Sequence, residues 1–211
     1  MSYILDAYKN ASEGVIKKLA RRGMEAVYCS TKEEALKQIL SMMPEGASVT
    51  CGGTESMAEA GVISAIREGN YDFIDRKSAK TPEEARALYG KIVCADYFLT
   101  STNAFTVEGE LVNIDGASNR VACIAHGPAH VIVLASMNKM CKDVDEAIKR
   151  IHTHACPPNA MRVGVNTPCS KTGLCADCLS PETICCQILV TRFSRVPGRI
   201  QVVLCGEKLG F

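Results

Sequence analysis

Neither a dominant charge nor a long apolar run sets the character of this 211-residue chain. Its 24 basic and 23 acidic side chains leave a formal net charge of +1, so no global field draws it to nucleic acid or to an anionic membrane. No uninterrupted apolar stretch reaches the length of a membrane-crossing helix, so membrane insertion is not expected. Asp6, Lys9 and Glu13 interrupt the first fifteen residues, where a secretory leader would need an apolar core. A soluble, cytoplasmic protein is the expectation. Internal repeats and low-complexity segments are missing. So are the dinucleotide fingerprint and the P-loop, since Gly52-Gly53-Thr54 matches neither and has no lysine beside it.

What the chain does have is length for one domain with a sizeable core, and 12 cysteines. Without a secretory leader, disulfides are not expected. Cys29, Cys51, Cys94, Cys123 and Cys141 are scattered in mostly apolar contexts and read as small buried residues. Cys169, Cys175, Cys178, Cys185 and Cys186 are crowded together.

Taken in order, the chain alternates helix and strand. Residues 2–22 place Ile4, Leu5, Tyr8, Val15, Ile16 and Leu19 at helical spacing and stop at Gly23. This amphipathic helix packs on the domain or on a partner chain, which leaves a homo-oligomer open. Met24–Cys29 reads as a strand, and Ser30-Thr31-Lys32-Glu33 as a capping box for a helix ending before Pro44. Ala47–Cys51 is a strand that Gly52-Gly53-Thr54-Glu55 turns into a helix running to about Arg67. A strand at Tyr71–Ile74 precedes a helix capped by Thr81-Pro82. Strand, hairpin and short helix occupy 95–125, His130–Ala135 is a buried strand, and Asp143 caps a helix to about Ala155. Pro157-Pro158 breaks the pattern, and a cysteine-rich loop fills residues 157–185. Strands return at about 186–193 and 200–205, with Pro197-Gly198 as the turn between them. The expected fold is one α/β domain with a mainly parallel sheet covered by helices on both faces.

Small polar residues crowd the end of the apolar strand Tyr97–Leu99: Ser101, Thr102 and Asn103, followed on the return by Asn113, Asp115, Asn119 and Arg120. In an open α/β sheet, ligands sit beyond the carboxyl ends of strands, and hydroxyl and amide groups there suit a polar ligand. Gly52, Gly53 and Thr54 lie at a second such turn, where backbone amides would face a carboxylate or phosphate.

Several of these stretches carry a resemblance. Gly52-Gly53-Thr54 with Glu59-Ala60-Gly61, and Ser101-Thr102-Asn103-Ala104-Phe105-Thr106 before Glu108-Gly109, resemble the LUD-domain family of lactate-utilisation proteins. So do Asn119-Arg120-Val121-Ala122, Gly127-Pro128, Asn138-Lys139 and Pro158-Asn159-Ala160-Met161-Arg162. The resemblance runs from about Ser2 to Arg162 and resumes over 200–211. It implies a fold similar to the sugar-phosphate isomerase and CoA-transferase superfamily. It also implies a part in bacterial lactate oxidation, with iron–sulfur proteins as partners. Activity as an oxidoreductase component or as a CoA-transferase-like enzyme are both compatible with it. Glu59 and Glu108 are the acids it places as general base or nucleophile, as glutamates act in the CoA-transferase relatives. Arg120, Lys139 and Arg162 would neutralise a small anionic metabolite, with Asp115 near them. His126 is a weaker acid–base candidate, and His152 and His154 read as surface or cap residues.

The cysteine segment departs from the shorter members of that family. Cys169-x5-Cys175-x2-Cys178-x6-Cys185 places four thiols on a stretch with little core of its own. A zinc ribbon sets two Cys-x2-Cys knuckles well apart, whereas here there is one such pair with an outer cysteine close on either side. The array favours a [4Fe–4S] cluster over zinc as the metal. Cys186, adjacent to Cys185 in an extended strand, would face the other way, into the sheet. Two functions follow: a binder of a small anionic metabolite in lactate-type redox metabolism, or a non-enzymatic metalloprotein serving assembly with partners.

Overall fold

The apolar periods place helices and strands in near alternation through the first two-thirds of the chain, and a computed structural model describes residues 3–211. α1 (Tyr3–Arg21) leads to β1 (Glu25–Cys29), α2 (Lys32–Ser41), β2 (Ser48–Cys51), α3 (Glu55–Glu59), α4 (Val62–Glu68) and β3 (Asp72–Ile74). Then come α5 (Pro82–Val93), β4 (Tyr97–Thr100), β5 (Ala104–Thr106), β6 (Leu111–Asp115), α6 (Asn119–Ala125) and β7 (His130–Ser136). β8 (Met140–Cys141) precedes α7 (Val144–Arg150), a π-helical turn (Ile151–Ala155), α8 (Cys156–Val163) and α9 (Pro168–Thr172). β9 (Gln187–Thr191) and β10 (Ile200–Cys205) complete the order.

Six strands pair in parallel in the order β1-β10-β7-β4-β2-β3. Helices cover both faces, and the central strands show why. Val131, Val133 and Ala135 of β7 pack with Val15 and Leu19 of α1 and Ile92 of α5. Ile132 and Leu134 point the other way, to Ile39 of α2, Met57 of α3 and Ile66 of α4. A strand buried on both sides must be apolar at every position, so it reads as a continuous run rather than an alternation. Each fully buried side chain of this size, Leu19 for example, contributes about 1.5–3 kcal/mol. α1 therefore lies on the sheet, through Ser12, Val15 and Leu19.

A smaller sheet, β8-β5-β6-β9, stands beyond the carboxyl end of β4. β5 and β6 form the expected hairpin and β9 adds antiparallel to β6. Ala104, Val112 and Ile114 of this sheet pack on Ala147, Ile151 and Ala155 of the α7–α8 rod.

Three local expectations need correction. Gly61, at φ 75°, splits the helix after β2 into α3 and α4. Pro197-Gly198 does not close a hairpin, because β9 belongs to the small sheet and β10 to the large one. Nor does the helix end at the proline pair. The Cys156 amide bonds the Ile151 carbonyl, one residue further back than in an α-helix, and Pro157 then falls in the first turn of α8, where its missing N–H is tolerated. Residues 157–163 and 168–172 of the expected loop are thus helical, in α8 and α9, and the rest up to residue 185 is not.

Candidate functional site

The parallel strands deliver their carboxyl ends to one place. β2 ends in Gly52-Gly53-Thr54, β4 in Ser101-Thr102-Asn103, and β7 continues through a 3-10 turn to Lys139. Between them lies a small open cleft, walled by these residues apart from Gly52 and by Ser56, Arg120, Asn159, Arg162 and the Gly210-Phe211 tail. Thr54 spends its hydroxyl capping α3, accepting from the Met57 amide at 3.4 Å. Gly52 is buried beneath the cleft, since a Cβ there would lie 3.2 Å from the Phe98 ring and 3.3 Å from Arg120 Cδ.

Lys139 is the most constrained group in the cleft. It is 3% exposed, and its ammonium nitrogen lies 2.9 Å from Ser56 Oγ and 3.1 Å from Ser101 Oγ. Burial draws its pKa down to about 7, helped by the nearby Arg150 and Arg120 charges and opposed by Glu59. Arg120 is also buried, and most of its donors are spent on the protein. It donates to Asn113 Oδ1 at 2.6 Å, to Asn103 Oδ1 at 3.0 Å and to the Ile114 carbonyl at 2.6 Å. Its Nε lies 3.4 Å from Asp115 Oδ2. Arg162 is more open, lying 3.1 Å from Glu55 and donating to Asn159 Oδ1 at 2.7 Å.

A second pocket gathers sulfur. Cys169, Cys175, Cys178 and Cys185 line it with His152 and Cys156. Cys156 Sγ lies 3.4 Å from Cys185 Sγ, and His152 Nδ1 is 3.3 Å from Cys175 Sγ. Hydrogen bonding from Cys156 lowers the Cys185 thiol to about 7, and the same contact raises Cys156. Among the described residues, no three Cys, His, Asp or Glu side chains are already arranged around a single metal position. A metal would have to draw these sulfurs inward. Cys186 is outside this lining, but it is exposed rather than turned into the sheet, because β9 begins only at Gln187 and its thiol donates to the Thr183 carbonyl.

One rod walls both places. Ala155, Asn159 and Arg162, spaced four and three apart, face the cleft, while His152 and Cys156 face the thiols. The cysteine segment is also pinned to the β6–α6 turn, with the Cys186 amide on the Asp115 carbonyl at 3.0 Å. A Cβ on Gly116 would lie 2.8 Å from Ile184 Cα. Gly116→Ala should therefore push residues 183–185 outward and cost about 1–3 kcal/mol, read as a lower denaturation midpoint and faster proteolysis after residue 180.

The sequence pattern of the LUD domain matches residues 12–205. The chain belongs to the LUD-domain family. A DUF162-family protein from Deinococcus radiodurans, solved by crystallography at 1.70 Å, has a similar fold with a TM-score of 0.58. The two share 13% identity over 94% of this chain and 98% of that one. No curated protein matches.

Within this LUD domain the expected residues divide. Gly53, Thr54, Ser101, Asn103, Arg120, Lys139 and Arg162 come together at the cleft. Asn119 opens α6 outside the lining, and Asp115 is a turn-holder, its Oδ1 accepting from the Ala117 and Ser118 amides at 3.1 Å. Neither proposed catalytic acid lines the cleft. Glu59 accepts from the Gly210 amide at 2.7 Å. Glu108 sits exposed on the β5–β6 turn, paired with Lys18 of α1 at 2.7 Å, because its acid completes a turn rather than a strand end. The acid that does line the cleft is Glu55. His126 is exposed. His154 faces Thr153 at 2.7 Å, whereas His152 reaches the thiols and is more than a cap. Sequence reading passed over Ser56, two residues past the Gly-Gly-Thr motif, and Arg150, whose guanidinium holds the Asn103 carbonyl at 2.9 Å. It also passed over Cys156, four residues after His152 on the same helical face.

Proposed function

We propose that this LUD-domain protein binds a small anionic metabolite, of the 2-hydroxy acid type, in the cleft beyond β2, β4 and β7. It takes part there in lactate-type redox metabolism beside a metal site formed by Cys169, Cys175, Cys178 and Cys185. The observation that carries the first half is charge: Arg120, Lys139 and Arg162 converge on one cleft, against Glu55. Ser101 and Ser56 add hydroxyls that suit the hydroxyl or carbonyl oxygen of such an acid. Arg120 shapes this site more than it touches a ligand, and Arg162 is the arginine with donors to give. The half-buried Arg162–Glu55 pair is a replaceable contact, so a ligand carboxylate can take it over.

The donor set supports the second half. Four thiols and no carboxylate-rich shell suit a soft metal, and [4Fe–4S] is the reading kept ahead of zinc. When bound, such a cluster supplies one-electron transfer. Leu174 and Leu179 stand exposed on the same segment, which favours an additional contact with an iron–sulfur partner protein.

Titrating purified protein with lactate, pyruvate and a sugar phosphate, by calorimetry or thermal shift, tests the cleft. Arg162→Ala should weaken carboxylate binding by about 1–3 kcal/mol while leaving the unliganded melting temperature nearly unchanged. Arg120→Ala should instead unseat Asn103 and Asn113 and lower stability. Equal affinity in wild type and Arg162→Ala would move the site elsewhere.

A further inference from the structure

We propose that Lys139 is a nucleophile that captures a 2-oxo acid as an imine; this rests on the reading of the cleft as a small-carboxylate site and names its substrate class. The geometry begins with what surrounds the amine. Among the described residues, no carboxylate lies within ion-pairing distance of Lys139. Glu59, the acid that acts on it through space, has an oxygen committed to the Gly210 amide. Instead Nζ meets two hydroxyls. Ser56 Oγ donates its hydrogen to the Leu209 carbonyl at 3.3 Å and Ser101 Oγ donates to the Thr102 carbonyl at 3.2 Å. Each hydroxyl has one hydrogen, so both accept from Nζ.

A neutral amine has two hydrogens and one lone pair. With both hydrogens placed on Ser56 and Ser101, the lone pair is left unengaged, on an amine that lines the cleft. Buried lysines of this kind serve as Schiff-base nucleophiles. A pKa near 7 keeps a large fraction of the amine neutral at physiological pH. Arg162, on the same cleft, would hold a carboxylate. A molecule with a carboxylate and an electrophilic carbon next to it is a 2-oxo acid, the oxidised counterpart of a 2-hydroxy acid.

The step balances without an oxidant. The amine lone pair adds to the C2 carbonyl, forming a carbon–nitrogen bond. The resulting carbinolamine then loses water, which carries away the carbonyl oxygen and both amine hydrogens. Addition of water reverses it.

Incubating the full-length wild-type protein with pyruvate and sodium cyanoborohydride, whose hydride reduces an imine to a stable secondary amine, tests the proposal. Peptide mapping at limiting pyruvate should find the adduct on Lys139 ahead of the exposed Lys142, Lys149 and Lys208, and excess lactate should suppress it. Lys139→Met should lose that adduct and keep the background on the other lysines. Pyruvate that raises the melting temperature but labels only surface lysines would overturn the nucleophile and leave the anion site standing. Pyruvate that neither shifts the melting temperature nor labels Lys139 would remove both.

Discussion

Replacing Cys175 by serine should leave the protein without metal and colour, while Cys94→Ser should change neither. Between Gly164 and Cys186, Thr167 and Cys169 are the residues that are fully buried, so apolar burial cannot hold this segment. What holds it at present is a few polar links: the Asn166 amide to Glu182 at 2.7 Å, the Thr183 amide to the Ser180 carbonyl at 2.9 Å, and the Cys186 amide to Asp115. Such links contribute about 1 kcal/mol each, too little to order more than twenty residues against their conformational entropy. On the proposed reading, thiolate–metal bonds would supply the missing term, their formation being coupled to ordering of the loop. Anaerobically purified wild type should be brown, with a broad absorption band near ~400 nm that bleaches on reduction, if the metal is [4Fe–4S]. Zinc would give a colourless protein with stoichiometric metal. Cys178→Ser should behave as Cys175→Ser, with faster proteolysis of the segment in both. Cys156→Ser should keep the metal, because the four loop cysteines suffice. Loss of metal from Cys156→Ser together with its retention in Cys178→Ser would redraw the set as Cys156, Cys169, Cys175 and Cys185. Metal-free wild-type protein from anaerobic preparation would end the proposal.

The parallel sheet was legible because its central strands carry apolar runs, Val131–Ala135 in β7 and Val202–Leu204 in β10, and are separated by helices with capping residues. Asp143 and Thr81 are such caps, each accepting from the amide three residues on. The cleft was legible for the same reason: small polar residues directly after β2 and β4 have no role in a sheet interior. Roles within the cleft were less so. Arg120 and Asp115 look like ligand-binding groups in a string of letters, yet folding turns them on each other and on Asn103 and Asn113. The charge of Glu108 was visible, but not that the β5–β6 turn faces α1 rather than the sheet end. Lys139 was legible as the cation of the Asn138-Lys139 motif, but its burial was not, because that arises from β7, α3 and the C-terminal tail meeting in space.

The continuation of the Asp143-capped helix beyond Ala155 into α8 was the largest omission, and the cause is chemical. Pro157-Pro158 signals a helix end because proline cannot donate to the preceding turn. Here the π turn takes up the register change, so the helix survives and presents His152 and Cys156 on the thiol side and Asn159 and Arg162 on the cleft side. The cleft and the thiol pocket share one wall, so a metal bound at the sulfurs would have a rigid element through which to reach an anion bound in the cleft.

Lactate affinity should fall as pH rises through neutrality, and Lys139→Met should abolish that dependence. The Lys139 pKa of about 7 in the free protein, against an ordinary 10.5, means the site is charged below neutrality and neutral above it. The groups that face it are Glu59, Arg150 and Arg120, with Ser56 and Ser101 as its hydrogen-bond acceptors. A bound carboxylate favours the ammonium, so its pKa rises in the complex and binding takes up a proton. Affinity is then full below about pH 7 and declines by up to tenfold per unit above it, until the pKa of the complex is passed. The same shift has a stability sign. Between about 7 and 10.5 the unfolded chain holds a proton that the folded chain releases, so wild-type stability rises with pH across that window. Below it both states are protonated, and the folded protein bears the full cost of a buried, unpaired ammonium. Methionine keeps the length and apolar stem of the side chain but cannot titrate. Its melting curve should lack that slope, and the gap to wild type should be widest near about pH 6 and shrink toward about pH 10. Calorimetric titration with lactate at several pH values, paired with thermal melts of both proteins, reads the two effects separately. Parallel pH profiles for wild type and Lys139→Met would show that another group carries the charge.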